Sequence, residues 1–156
     1  MSKIDMPIGI NPIILDEEGK ILLGLRKNCY GAGTWGLPGG KLQMFETFEE
    51  TAVREIKEET NLDVMVEDID VINLANSFDL NSETHFIQIG VLVKKYEGLL
   101  KVMEPEKCEE LRFFDLDNLP EHLFVSTKMN IELYKMKKFY NKSVNSKKEE
   151  KYAKDN

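Results

Sequence analysis

Apolar, β-rich residues run from 6 to 15 (MPIGINPIIL) and again from 20 to 26 (KILLGLR), with the polar DEEG turn between them. Two such runs around a short turn predict a β-hairpin. Further on, Ile87, Ile89, Val91 and Val93 alternate with other residues, which predicts a half-buried strand over 84–95. Residues 62–76 read as another strand, and Leu111 to Phe114 as a short one. The period changes between 48 and 60. There Phe48, Ala52, Val53 and Ile56 form one apolar stripe at helical spacing. Thr47 stands where an N-cap belongs, with Glu50 three positions on as its capping-box partner. Asn61 follows the last turn, and asparagine tolerates the left-handed conformation that closes helices. A second helix is expected from Ser126, as its cap, to about Tyr140, burying Met129, Leu133, Met136 and Tyr140. Between the first strands and the first helix lies YGAGTWGLPGG, residues 30–40, whose five glycines and one proline force repeated bends.

These elements fit one domain over residues 1–140, followed by a polar, lysine-rich tail at 141–156 expected to be a frayed end. No internal repeat is visible. The 156 residues are 42% hydrophobic and 31% charged, which supports a globular core. The net charge of −7 disfavours a nucleic-acid polymer as partner, since a phosphate backbone wants a basic face. A small anionic substrate is still admissible if a cation stands between acids and phosphates. No window is long and apolar enough for a membrane span, and the N-terminus lacks the pattern of a secretory signal. The two cysteines, Cys29 and Cys108, make neither a metal-type spacing nor a disulfide framework. Reduced thiols in a cytoplasmic protein are the expectation.

The segment that carries chemistry is GGKLQMFETFEETAVREIKEETNL, Gly39 to Leu62. Glu55 and Glu58 are three apart and Glu55 and Glu59 four apart, so all three carboxylates share one helix face. Like charges so placed repel by about a few tenths of a kcal/mol per pair. An acidic run on a helix is ordinarily a solvated face. Here, however, two glycines that let backbone approach a ligand precede it, and Arg54 inside it can clamp a carboxylate bidentately. A hard divalent cation such as Mg²⁺ would offset the repulsion, because it takes oxygen ligands from carboxylates and phosphates.

The same residues fall in register with the Nudix hydrolase signature, G-x5-E-x7-R-E-U-x-E-E-x-G-U, where U is apolar. Gly40, Glu46, Arg54, Glu55, Ile56, Glu58, Glu59 and Leu62 match it, and Asn61 replaces its last glycine. ILLGLRKNCYGAGTWGLPGGKL resembles the lead-in of the MutT-like nucleoside triphosphate diphosphatases, as do EPEKCEE and LRFFDLDNLP, so the likeness spans about residues 7–125. It implies an α+β Nudix fold, a mixed β-sheet sandwiched between α-helices (an α/β/α sandwich).

The resemblance also implies roles. Glu55, Glu58 and Glu59 match the metal-binding glutamates, the carbonyl of Gly39 a backbone ligand, and Glu46 and Arg54 residues that orient them. One further acid is expected from a later loop, with Glu109 the candidate and Glu106 and Glu110 next. The expected cofactor is Mg²⁺, with Mn²⁺ as a substitute. The expected reaction is attack of water on a nucleoside triphosphate, giving monophosphate and pyrophosphate, with Glu55 or Glu59 as base. Arg26, Gly39, Gly40, Leu123 and Phe124 are candidate substrate contacts. Val125 stands where related diphosphatases carry tryptophan, which bears on base preference. Trp35 is expected to pack beneath the glycine loop. His85 and His122 are not needed by the chemistry.

Three alternatives are weighed. The main one is an ADP-ribose or other nucleoside-diphosphate-X pyrophosphatase; ADP-ribose pyrophosphatases typically carry a proline some fifteen residues beyond the box, and this chain has none between Pro38 and Pro105. Dinucleoside polyphosphate hydrolases tend to carry a tyrosine near the place held here by Asn76, Ser77 and Phe78. From another class, a sensor would bind nucleotide without cleaving it; retention of Glu46, Glu55, Glu58 and Glu59 speaks for activity. A homodimer is expected by analogy.

Overall fold

The computed structural model describes residues 6–79 and 84–140, so the tail at 141–156 lies outside the described residues. Strand β1 (Ile8–Ile14) is the organising element. It is buried on both faces, as a central strand is, and both its edges are taken. It runs parallel to β6 (Thr84–Val93) and antiparallel to the two-residue β4 (Gly40–Lys41). With β5 (Ile69–Asp79) on the far side of β6, the order is β4-β1-β6-β5. A smaller antiparallel sheet has the order β3-β2-β7, from β2 (Ile21–Arg26), β3 (Trp35–Gly36) and β7 (Cys108–Phe114).

The first two strands therefore do not form the expected hairpin. The turn itself is present: Asp16 Oδ1 accepts from the N–H groups of Glu18 and Lys20, both at 2.9 Å. Only Leu15 and Ile21 pair across it, after which β2 leaves for the other sheet. β6 wins the edge of β1 because it supplies an unbroken ladder along the whole strand, from Ile8↔Ile87 to Ile14↔Val93.

Successive strand residues face opposite sides, so the four-stranded sheet builds two cores. On one face Ile10, Ile14, Ile89 and Val91 meet Ala52 and Ile56 of α1 (Phe48–Thr60). On the other, Ile13 and Leu92 meet Ile131 and Tyr134 of α2 (Val125–Lys135), together with Trp35, Leu37 and Leu123. This is the α+β sandwich that the resemblance implied.

Helix α1 starts and stops as its sequence predicts. Glu50 N–H donates to Thr47 Oγ1 at 3.1 Å while the Glu50 carboxylate accepts from Thr47 N–H at 2.8 Å. Asn61 ends it in the left-handed region at φ 65°. Two other expectations are corrected. The strand proposed for 62–76 begins only at Ile69, because Leu62 is buried as an anchor of α1 and Val66–Asp68 form a 3-10 turn. Helix α2 ends at Lys135 and begins after Phe124, so Ser126 lies inside it, buried, rather than capping it. Its buried side is Ser126, Thr127, Asn130, Ile131 and Leu133. Met129 is half-buried, while Met136 and Tyr140 are exposed. The chain after the helix instead bonds back to β5 through Leu74 N–H and the Phe139 carbonyl.

Candidate active site

The turn from Leu37 to Gly40 carries the chain from the small sheet to the edge of the large one. It can do so only because position 39 is glycine: φ is 145°, and a Cβ there would run into the Ile10 carbonyl. At Gly40 a Cβ would instead strike the Glu55 carboxylate. Two glycines thus bring backbone onto the acidic face of α1. Gly39 N–H donates to Glu59 Oε2 at 2.9 Å, fixing that carboxylate beneath the turn.

Arg54 organises the other acids. Its Nε and Nη2 clamp Glu46 bidentately at 2.6 and 2.9 Å, and its Nη1 donates to Glu55 at 2.7 Å, with Glu58 farther off at 3.5 Å. Glu46 also accepts from the Thr51 hydroxyl at 2.8 Å and the Gln43 N–H at 3.2 Å. Bonded so, chiefly to Arg54, its carboxyl falls to about 2. Glu55 and Glu59 go the other way. Burial pushes Glu55 up despite Arg54. Burial raises Glu59 to about 8, with the charges of Glu55 and Glu104 adding to it and the Gly39 N–H and Arg26 opposing it. The site is an acid cluster with more negative charge than its own cations cover.

Between about pH 4.5 and 8, then, the native state of the metal-free protein holds a proton on Glu59 that the unfolded chain has released, and Glu55 is shifted in the same direction. Stability is full below the unfolded value and falls as pH rises through that window. Urea denaturation in a chelator should show a midpoint that drops steadily from pH 5 to pH 8. A flat or rising midpoint would contradict the burial of Glu59.

Glu109 is exposed on β7. The downstream acid whose charge reaches both Glu55 and Glu59 is Glu104, which the sequence reading passed over. Its backbone carbonyl caps the turn into β7, accepting from Lys107 and Cys108 N–H at 3.0 and 2.9 Å, and Met103 N–H bonds the Glu59 carbonyl at 3.2 Å. Nothing in a run of glutamates says which one folds inward; only this turn decides it.

Arg26 and Phe124 come together. The guanidinium lies 4.2 Å from the Phe124 ring centre, and its Nε and Nη2 donate to the Tyr30 carbonyl at 3.0 and 2.7 Å. Tyr30, not singled out beforehand, packs edge-on against Phe124. Leu123 joins the second core and pairs with Trp35. Trp35 packs against Phe114 at 4.7 Å. His85 meets Asn76 Oδ1 at 3.2 Å and stacks on Phe78, and His122 is exposed. Both cysteines are free thiols.

Ahead of α1, Phe45 adopts φ 69° with 98% of its surface exposed. A bulky residue in the left-handed region costs about 1–2 kcal/mol. Phe45→Gly should raise stability by about 1 kcal/mol in urea melts, and a loss would show that the ring has a partner.

Among the described residues no three acidic, histidine or cysteine side chains are already closed around one point. Arg54 and the Gly39 N–H hold the carboxylates apart. The donor set still suits a hard divalent cation: all oxygen, anionic, partly buried, and short of positive charge.

Fold and site together define an α+β domain that offers a carboxylate cluster on one helix beside a glycine turn. The NUDIX domain family model matches residues 7–136, and the chain belongs to that family. It is 40% identical over 111 residues to a protein of Methanocaldococcus jannaschii named ADP-ribose pyrophosphatase, covering 71% of this chain and 63% of that one. It is 34% identical over 113 residues to a Danio rerio protein named oxidized purine nucleoside triphosphate hydrolase, covering 69% and 66%. The chain thus spans a little under two thirds of the length of these relatives. Among solved structures, a MutT NUDIX hydrolase from Burkholderia pseudomallei superposes with a TM-score of 0.77 at 32% identity, over 83% of this chain and 98% of that one.

Proposed function

We propose that this protein is a hydrolase that cleaves a diphosphate linkage in a nucleoside triphosphate, releasing monophosphate and pyrophosphate. The observation that carries the reading is Glu59, a carboxylate held under a glycine turn and raised to about 8 by burial and by its acidic neighbours. So expensive an arrangement has a use if a cation and an anionic substrate complete it. Glu55, Glu58, Glu59 and the Gly39 carbonyl would hold Mg²⁺, or Mn²⁺ in its place, with Glu104 replacing Glu109 as the downstream acid. When bound, the ion neutralises phosphate charge and acidifies water.

The chain's own residues do the rest. Arg54 and Glu46 keep Glu55 in one orientation, and the Gly39 N–H does so for Glu59. Either carboxylate takes the proton as water attacks phosphorus, while the phosphorus–oxygen bond to the leaving group breaks. Arg26, steadied on Phe124, would meet a phosphate. Gly39 and Gly40 let the phosphate chain approach backbone.

A second reading, ADP-ribose pyrophosphatase, is favoured by the name of the M. jannaschii relative. The lack of proline between Pro38 and Pro105 speaks for the triphosphatase. A panel of nucleoside triphosphates, ADP-ribose and dinucleoside polyphosphates with Mg²⁺ separates them by rate and by pyrophosphate against phosphate release. Fast turnover of ADP-ribose with inert triphosphates would overturn the first reading. Nucleotide binding with no turnover of any substrate would leave the sensor. We also propose a homodimer acting in the cytoplasm, the first checked by sedimentation mass.

A further inference from the structure

Gly40 pairs with Ile10, and Ile10 faces α1. The next side chain along β1, Asn11, therefore faces the other way, toward α2, one step from the catalytic turn. Beside it on β6 is Gln88, on the same face as Leu92 of the second core. Asn11 Nδ2 donates to Gln88 Oε1 at 2.7 Å and approaches the carbonyls of Gly9 and Ile89 at 3.3 and 3.5 Å. Gly9 makes room for this, since a Cβ there would meet the Gln88 carboxamide.

That bond uses one donor and one acceptor of the pair and leaves two groups over. Among the described residues, Asn11 Oδ1 and Gln88 Nε2 have no protein partner. Neither side chain is sealed, with 8% and 7% of the residue surfaces reachable. Deeper in the same layer, Asn73 and Asn130 are fully buried, and their side-chain oxygens have no hydrogen-bond partner among the described residues. A sheet face against a helix is most stable when apolar, and each unsatisfied amide group works against it. A run of carboxamides there is not what packing asks for.

We propose that Asn11 and Gln88 are specificity-determining residues that read the hydrogen-bonding edge of the nucleobase. The acceptor of Asn11 and the donor of Gln88 complement a base edge that offers a donor beside an acceptor. The rim formed by Gly39 and Gly40 then divides a nucleotide by chemistry: charged phosphates on the α1 side, an uncharged polar base on the α2 side. Arg26 spans the two halves, acting on Glu59 while stacked on Phe124 at the start of α2. The inference rests on the nucleotide reading of the site but not on cleavage.

The test is binding of AMP, GMP, CMP and UMP to the full chain by calorimetry, with turnover measured separately. The wild type should prefer one base by about tenfold or more. Gln88→Met keeps the volume and removes the donor. It should bring all four affinities together while leaving thermal unfolding and the affinity for inorganic pyrophosphate unchanged. Gln88→Glu keeps the acceptor that Asn11 uses and replaces the N–H by an oxygen, so it should alter the order of preference. If the wild type binds all four bases equally, or if both variants keep its ranking, the assignment is wrong. If Gln88→Met fails to fold, Asn11→Leu read against the same four ligands decides it in the same way. Absence of turnover with base preference intact would remove the proposed reaction and keep this inference.

Discussion

Glu59→Gln is expected to lower turnover by about 10²–10⁴-fold while making the metal-free protein more stable at pH 8. The size is that of a lost catalytic proton acceptor. The opposite signs share one cause. Glu59 sits under the Gly39 N–H among the charges of Glu55 and Glu104, so ionising it in the empty site is costly. Glutamine keeps the shape and an oxygen for the Gly39 N–H and removes the charge. Steady-state rates with Mg²⁺ and urea melts in a chelator at pH 5 and 8 measure both halves. In the wild type the midpoint should fall between those pH values, and in the variant that fall should shrink. Retained turnover would take Glu59 out of the mechanism. An unchanged pH profile of stability would show that its charge was never confined.

Gly39→Ala is expected to cost about 2–5 kcal/mol of stability and to abolish turnover. The residue has φ 145°, where L side chains are strained, and the added Cβ meets the Ile10 carbonyl and, at 3.0 Å, Pro12 Cδ. Neither neighbour is the loose end of a flexible side chain. The turn must move, and with it go the Glu59 bond and the Ile10↔Gly40 pairing. Gly33→Ala is the control: φ is 84° and nothing lies within 4 Å of an added Cβ, so only the strain of about 1–2 kcal/mol should appear. Equal losses in both variants, read from urea midpoints, would mean that the contact at Ile10 carries nothing.

The capping box of α1, its left-handed stop at Asn61 and the acidic face were legible because they are local: each depends on residues within one or two turns of helix. The hairpin expected between β1 and β2 failed for the opposite reason. Strand partners are chosen by the whole sheet, and β6, some seventy residues away, offered β1 the better ladder. The end of α2 was missed because Lys137 turns into the left-handed region at φ 53° and Lys138 N–H bonds back to the Leu133 carbonyl, a stop that helical spacing of apolar residues does not reveal.

By itself the amino-acid order determined the chemistry that is possible, namely which carboxylates share a helical turn, which arginine can clamp them and where backbone is free to come close. Tertiary structure decided which of these groups are deprived of water and which distant ones join them. It brought the charge of Glu104 to Glu55 and Glu59 while leaving Glu109 exposed, set Tyr30 and Phe124 around Arg26, and raised Glu59 while lowering Glu46. The physical reason is that spacing along a chain fixes a direction, whereas a group's proton affinity depends on burial and on charges brought near it from elsewhere in the fold.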